Sequence, residues 1–171
     1  MNPIGVRTSI RASIALGFML AGTAIASAAD APKALPLDQA ITVAQAALAK
    51  CKADGYNVTV MVMDQDYSTR LVLRSDAAAA RTIEIARRKA YTVVKMNMTS
   101  GEFGKSVPAP ASPPAPGTMP PGVNGDDNLI TFAGGKQIKL NGQLVGAISV
   151  SGAPGGEKDE ACVDAGLAKL K

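Results

Sequence analysis

The sequence predicts an α+β fold, a five-stranded, mainly antiparallel sheet with helices on both faces. Three observations carry this. Residues 57–64 are apolar at every alternating position, the mark of a strand covered on both sides. The link at 65–68 is too short for a parallel crossover, and Asn141-Gly142 is a strong type I′ hairpin signal. Segments with helical periodicity occupy the start, middle and end of the remaining chain, which suits one layer on each side of a sheet.

In order, residues 37–54 read as a helix. Asp38 lies near its N-terminus, Gly55 stops it, and Ile41, Ala44, Leu48 and Cys51 share an inward face. The first hairpin follows, 57–64 returning as 69–74. Ser75 or Asp76 is expected to cap a long helix reaching Lys95. Its inner stripe is Ile83, Ala86, Ala90 and Val93/Val94, and its outer basic face is Arg81, Arg87, Arg88 and Lys95, with Glu84 placed to meet Arg88. Such a face is solvated surface or a site for an anionic ligand such as a carboxylate or a tetrapyrrole propionate. A turn is expected at 101–105. Residues 107–125 hold seven prolines and read as a semi-extended arm over the surface, not a packed element. Short strands are expected at 129–133, 137–140 and 144–150, then a final helix carrying Cys162.

The bend 151–156, Ser-Gly-Ala-Pro-Gly-Gly, invites a phosphate-cradle reading. Glu157, Asp159 and Glu160 oppose it, because they fill the first helical turn with negative charge where free N–H groups would attract an anion. The spacing also lacks the glycine pattern and terminal lysine of nucleotide loops. A tight turn and a capped helix are the expectation.

The chain has 171 residues, 18 basic and 14 acidic. Residues 1–28 have the form of a signal peptide: Arg7 and Arg11, an apolar run, and Ala26-Ser27-Ala28 as an A-x-A cleavage site. A retained membrane anchor is the alternative, but the run is short for a span. Residues 29–36 form a leader, and 37–171 a single domain. Without residues 1–28 the balance is 16 basic to 14 acidic residues, net +2, so charge alone implies no nucleic-acid partner. The expected location is periplasmic or secreted, with no membrane span after cleavage. The chain has no histidine, which excludes Ser-His-Asp and Cys-His catalysis, His/Cys zinc sites and the commonest haem ligand.

These pieces resemble the GlcG/HbpS-like proteins, the haem-binding or haem-degrading domain family. The resemblance rests on Asp64, Arg74-x-Asp76, Lys89-Ala90-x-Thr92, Thr99, Gly134-Gly135-x-x-Ile138, the run from Gly146 to Gly152, Asp159 and Ala165-Gly166. It covers nearly all of 37–171, and the ending around Cys162 resembles an exported subgroup with paired cysteines. It implies a profilin-like α/β sandwich, assembly into homo-oligomers and, in some members, haem or corrinoid-related binding. Tyr67-Ser68, Gln137 and Ser149 depart from the family pattern. Without histidine, haem would need Met61, Met63, Met96, Met98, Tyr67, Tyr91, a lysine, a hydroxyl or no protein ligand, and each Met is also ordinary core filler.

The motifs bring forward Arg74, Lys89, Thr92, Gly134, Gly135, Ser151 and Gly152 as candidate ligand-binding residues. Arg74 and Lys89 would meet carboxylate and the glycines would allow close backbone approach. Lys89 has two blander readings, a surface cation or a partner for Asp76. Cys51 and Cys162 fall on the first and last helices, which this fold class brings to one sheet face, and export favours a disulfide. Two buried thiols are the alternative. No metal site is expected. The leading function is an exported, oligomeric, non-catalytic binder of a small anionic ligand of haem or tetrapyrrole type. Alternatives are a haem-degrading or small-carboxylate enzyme using Lys89 and Asp64 as acid–base groups, or an accessory protein for an exported dehydrogenase or sensor.

Overall fold

The structure is a computed structural model that describes residues 1, 34–108, 115 and 117–170. The expected signal peptide, most of the leader, and 109–114 and 116 of the proline-rich arm lie outside the described residues. Eight elements follow in order: α1 (Leu37–Ala53), β1 (Thr59–Asp64), β2 (Thr69–Arg74), α2 (Arg81–Met96), α3 (Ser100–Ser106), β3 (Gly135–Leu140), β4 (Gln143–Ser151) and α4 (Gly156–Leu167). The sheet has four strands in the order β2-β1-β4-β3, every neighbouring pair antiparallel.

Register explains why β1 is apolar throughout. Val60 faces Val150 and Val62 faces Ile148, and these pack with Val43, Ala47 and Val163 beneath α1 and α4. On the alternate face Met61 lies opposite Ser149 and Met63 opposite Ala147, against Ala86, Ala90 and Val93 of α2. The result is three layers: α1 and α4, the sheet, then α2. Ser149, buried in the second core, donates to the Ala86 carbonyl at 2.7 Å, so its hydroxyl is satisfied without water. Met61 and Met63 are core filler.

Cys51 and Cys162 are both fully buried and form a disulfide between α1 and α4, with Cα atoms 5.5 Å apart. The Asn141-Gly142 hairpin turn has positive φ at both residues, 51° and 80°, the type I′ pattern.

Four expectations are corrected. Residues 129–133 are not a fifth strand: the Ile130 N–H donates to Thr92 Oγ1 at 3.0 Å and the Leu129 carbonyl accepts from Arg88 at 2.7 Å. Helix side chains satisfy this backbone where a sheet neighbour was expected. The long helix begins at Arg81, because 75–80 is a turn in which Ala78 N–H donates to the Ser75 carbonyl. Residues 100–106 are a helix, opened by a capping box in which Thr99 and Glu102 exchange hydrogen bonds of 3.1 and 2.8 Å. Ile41 and Ile83 are exposed, since α1 buries Ala40, Val43, Ala44, Ala47 and Cys51, and α2 buries Thr82, Ile85, Ala86, Lys89, Ala90 and Val93.

The basic face of α2 also differs. Arg87 pairs with Glu84 through two bonds of 2.6 and 2.7 Å and reaches Asn128 at 2.7 Å. Arg88 is buried and donates to the carbonyls of Pro120, Pro121 and Leu129 at 2.6, 3.0 and 2.7 Å. These side chains hold the returning half of the proline-rich arm on the helix. They do not face solvent as a free cationic surface.

Candidate functional site

A cleft of about 850 Å³ opens where the C-terminal end of β4 meets the 152–156 bend, the start of α4 and the first two turns of α2. Tyr56, Ile85, Phe132 and Pro154 supply apolar surface to its wall, and Arg81, Lys89, Glu157 and Asp159 bring charge.

Lys89 and Asp159 belong to the buried part of the lining. The inner stripe of α2 carries Lys89 between Ile85 and Val93, so the helix that covers the sheet also buries an ammonium. Lys89 Nζ donates to Asp159 Oδ2 at 2.6 Å and to the Val150 carbonyl at 2.9 Å, and the two side chains are 2% and 4% exposed. Asp159 Oδ1 accepts the Ala153 N–H at 3.0 Å. Burial pushes the Lys89 ammonium below its ordinary range and, working against the neighbouring lysine, pushes the Asp159 carboxyl up. The acid of the first helical turn thus fills the bend that a phosphate would need. The cradle reading fails for the reason its charge predicts.

Gly134 is shaped by this pair. Its φ is 121°, and a Cβ there would lie 2.6 Å from Lys89 Nζ and 2.7 Å from the Asp159 Cβ. Only glycine lets the chain pass this close. Gly152, φ 135°, is similarly pressed against the Asn57 carbonyl, where a Cβ would sit at 2.5 Å.

Of the seven residues singled out from sequence, Lys89, Ser151 and Gly152 line the cleft. Gly134 lies behind Lys89, and Gly135 packs on the α2 backbone while donating its N–H to Ser100 Oγ at 2.9 Å. Arg74 and Thr92 stand outside the lining. Arg74 donates to the Ala78 carbonyl at 3.0 and 2.5 Å, shaping the turn before α2. Thr92 donates to the Arg88 carbonyl and accepts from Ile130. The partner of Lys89 is Asp159, not Asp76. Sequence reasoning placed Asp159 in the helix start without its partner, though a lysine inside an apolar stripe was a signal that a buried acid would be required.

Arg81 was read as part of the outer basic face. It is exposed, lines the cleft, and makes no side-chain hydrogen bond or ion pair among the described residues. It is therefore available to an incoming carboxylate. For haem iron the lining is poorer. It holds no His, Met or Cys; of the ligand types named from sequence it holds a tyrosine, Tyr56, the type catalase uses, a lysine already committed to Asp159, and the hydroxyls of Thr82, Thr131 and Ser151. Tyr67 and Tyr91 pack on each other at 5.0 Å outside the lining. The lining offers a planar carboxylate-bearing ring the apolar side chains of Tyr56, Ile85 and Phe132 and one exposed arginine, Arg81, and offers an iron the phenol of Tyr56.

Fold and cleft together define a three-layer α+β domain with an open cleft at one end of the sheet. The family of haem-degrading, HbpS-like proteins matches residues 35–168, and the chain belongs to it. It is 30% identical over 120 residues to an uncharacterized 15.0 kDa protein from the dhaT-dhaS intergenic region of Citrobacter freundii, covering 69% of this chain and 80% of that one. The crystal structure of HbpS superposes with a TM-score of 0.67 at 29% identity, over 84% of this chain and 95% of HbpS. The heme complex of PduOC has the same fold, TM-score 0.68 at 23% identity, over 81% of this chain and 96% of PduOC.

Proposed function

We propose that this chain is an exported, oligomeric, non-catalytic binding protein for haem or a related anionic tetrapyrrole, held in the cleft beside α2 and the 152–156 bend. Membership of the HbpS-like family supports the ligand class, and PduOC, a protein of the same fold, is known as a heme complex. The observation that carries the reading is Arg81, unpaired among the described residues, on a cleft of about 850 Å³ with an apolar wall. Arg81 would meet one propionate and Ile85 and Phe132 the ring face, with Lys89, Ser151 and Gly152 at the floor. Tyr56 would supply the phenolic oxygen if iron is ligated. Lys89 is committed to Asp159, so it shapes the floor and does not serve as a free charge.

Titration of purified protein with hemin is the test. The expected result is a saturable, stoichiometric Soret shift. Arg81→Ala should weaken it about tenfold or more, the worth of one charge-assisted hydrogen bond. Lys95→Ala, exposed on α2 and outside the cleft lining, should leave it unchanged. Non-saturable adsorption, or equal effects of the two variants, would overturn the reading. Tyr56→Phe should alter the visible bands of the bound pigment if the phenol ligates iron.

A further inference from the structure

Lys89 is a buried primary amine in the lining of an open cleft, with a carboxylate 2.6 Å from its nitrogen. Its ammonium has three hydrogens, and the Val150 carbonyl and Asp159 accept two of them. A merely structural ion pair needs no cleft. Here both members of the pair line it, between the bend and α2.

We propose that Lys89 captures small aldehydes as an iminium, with Asp159 as the proton carrier. The steps balance without an added reagent. Asp159 Oδ2 takes a proton from the ammonium, and the freed lone pair attacks the aldehyde carbon. The carbonyl oxygen becomes the hydroxyl of a carbinolamine after taking up the second ammonium proton. Asp159 returns its proton to that hydroxyl, the C–O bond breaks, and water leaves. Ammonium plus aldehyde has become iminium plus water, with one positive charge before and after. The buried aspartate therefore keeps a cationic partner in the product, which removes the desolvation penalty of a lone charge. Burial also acts in the required direction on both groups, favouring the neutral amine and the protonated carboxyl.

The surroundings select the class of carbonyl compound. Asp159 puts negative charge at the amine, and Glu157 adds to it on the same cleft wall beside Asp159. Arg81 lies eight residues away on α2, about 12 Å along the axis. A small carbonyl acid would be held by its carboxylate at the exposed Arg81, too far out for its carbonyl to reach the buried amine. An uncharged aliphatic aldehyde has no charge to be held at Arg81, and the apolar side chains of Tyr56, Ile85 and Phe132 offer it contact surface.

The inference shares the cleft with the proposed tetrapyrrole site but does not rest on it, so its assay contains no hemin. Native protein with its disulfide intact is treated with limiting propanal and sodium cyanoborohydride, then digested and mapped by mass spectrometry. Reduction traps an iminium as a propyl group on the lysine. Lys89 should acquire the group at an initial rate about tenfold above the exposed Lys139, as expected of an activated amine. Asp159→Asn should lower labelling at Lys89 about tenfold and leave Lys139 unchanged. If that variant does not fold, the rate ranking in the unaltered protein decides alone. Labelling of Lys139 with Lys89 unmodified would overturn the proposal and leave the pair purely structural. Equal labelling of Lys89 with and without Asp159 would overturn the assigned proton carrier.

Discussion

Truncating either member of the Lys89–Asp159 pair should be among the costlier single changes in this domain. With Lys89→Met, Asp159 keeps one bond, from Ala153 N–H at 3.0 Å, and loses its 2.6 Å cation, while the Val150 carbonyl loses a donor at 2.9 Å. Asp159→Asn strands a lysine that is 2% exposed. Removing one partner of a buried pair costs about 3–5 kcal/mol, whereas replacing both with apolar groups is often nearly neutral. Urea unfolding followed by far-UV circular dichroism should therefore show each single variant destabilised by about 3–5 kcal/mol, and Lys89→Met/Asp159→Leu by far less than the sum. The pH dependence follows from sign. Burial already holds the folded Lys89 below its ordinary 10.5, and loss of Asp159 removes the main group that opposes that shift, leaving only the more weakly acting Glu160. A lysine depressed in the folded state carries a penalty while protonated, and the penalty is relieved as pH rises toward 10.5. Asp159→Asn should accordingly regain stability on the alkaline side. Additive single effects, or losses of only about 0.5 kcal/mol as at ordinary surface sites, would refute the burial argument.

Two further predictions concern the frame of the domain. The Cys51–Cys162 bridge spans 111 residues of sequence, and closing a loop of that size contributes about 4–5 kcal/mol in the chain-entropy account; reductant or a Cys51→Ala/Cys162→Ala variant should lower the urea midpoint accordingly, and an unchanged midpoint would remove it as a staple. The Thr99 N–H holds the Glu102 carboxyl below its ordinary 4.5, so its contribution is present above that pH and lost as pH falls through the lower folded value; the stability gap to Glu102→Ala should close on acidification, as urea midpoints across that range would show.

Much of the fold was legible because its signals were local. The two-sided apolarity of 57–64, the Asn141-Gly142 turn and the cysteines on the outer helices each had one cheap structural solution, and the structure uses it. Errors arose where a distant side chain decided the outcome. Residues 129–133 have the length and apolarity of a strand, but their backbone groups are taken by Thr92 and Arg88, 38 and 41 residues away from their partners. Helix α3 was readable, since Thr99-x-x-Glu102 is a capping-box pattern, where only a turn at 101–105 was expected. The candidate site was legible at Lys89, Ser151 and Gly152. Arg81 was hidden because nothing local tells one arginine on a basic helix from the next.

Counted on the sequence, α2 offers five cations, which reads as a broad anionic site. In the structure Arg87 answers Glu84 and Asn128, Arg88 answers three backbone carbonyls, and Lys89 answers Asp159. Lys95 is exposed but is not part of the cleft lining. Among the described residues Arg81 is the one cation of the cleft lining without a partner, and Glu157 and Asp159 share the same walls. A single free cation beside two carboxylates gives little net attraction for a polyanion and a definite one for a lone carboxylate at the rim. Selectivity must then come from the apolar contacts of Ile85, Phe132 and Tyr56 more than from charge. A ring system with one carboxylate held at Arg81 and its remaining charge in solvent satisfies that arrangement; a compact polyanion such as a phosphate does not.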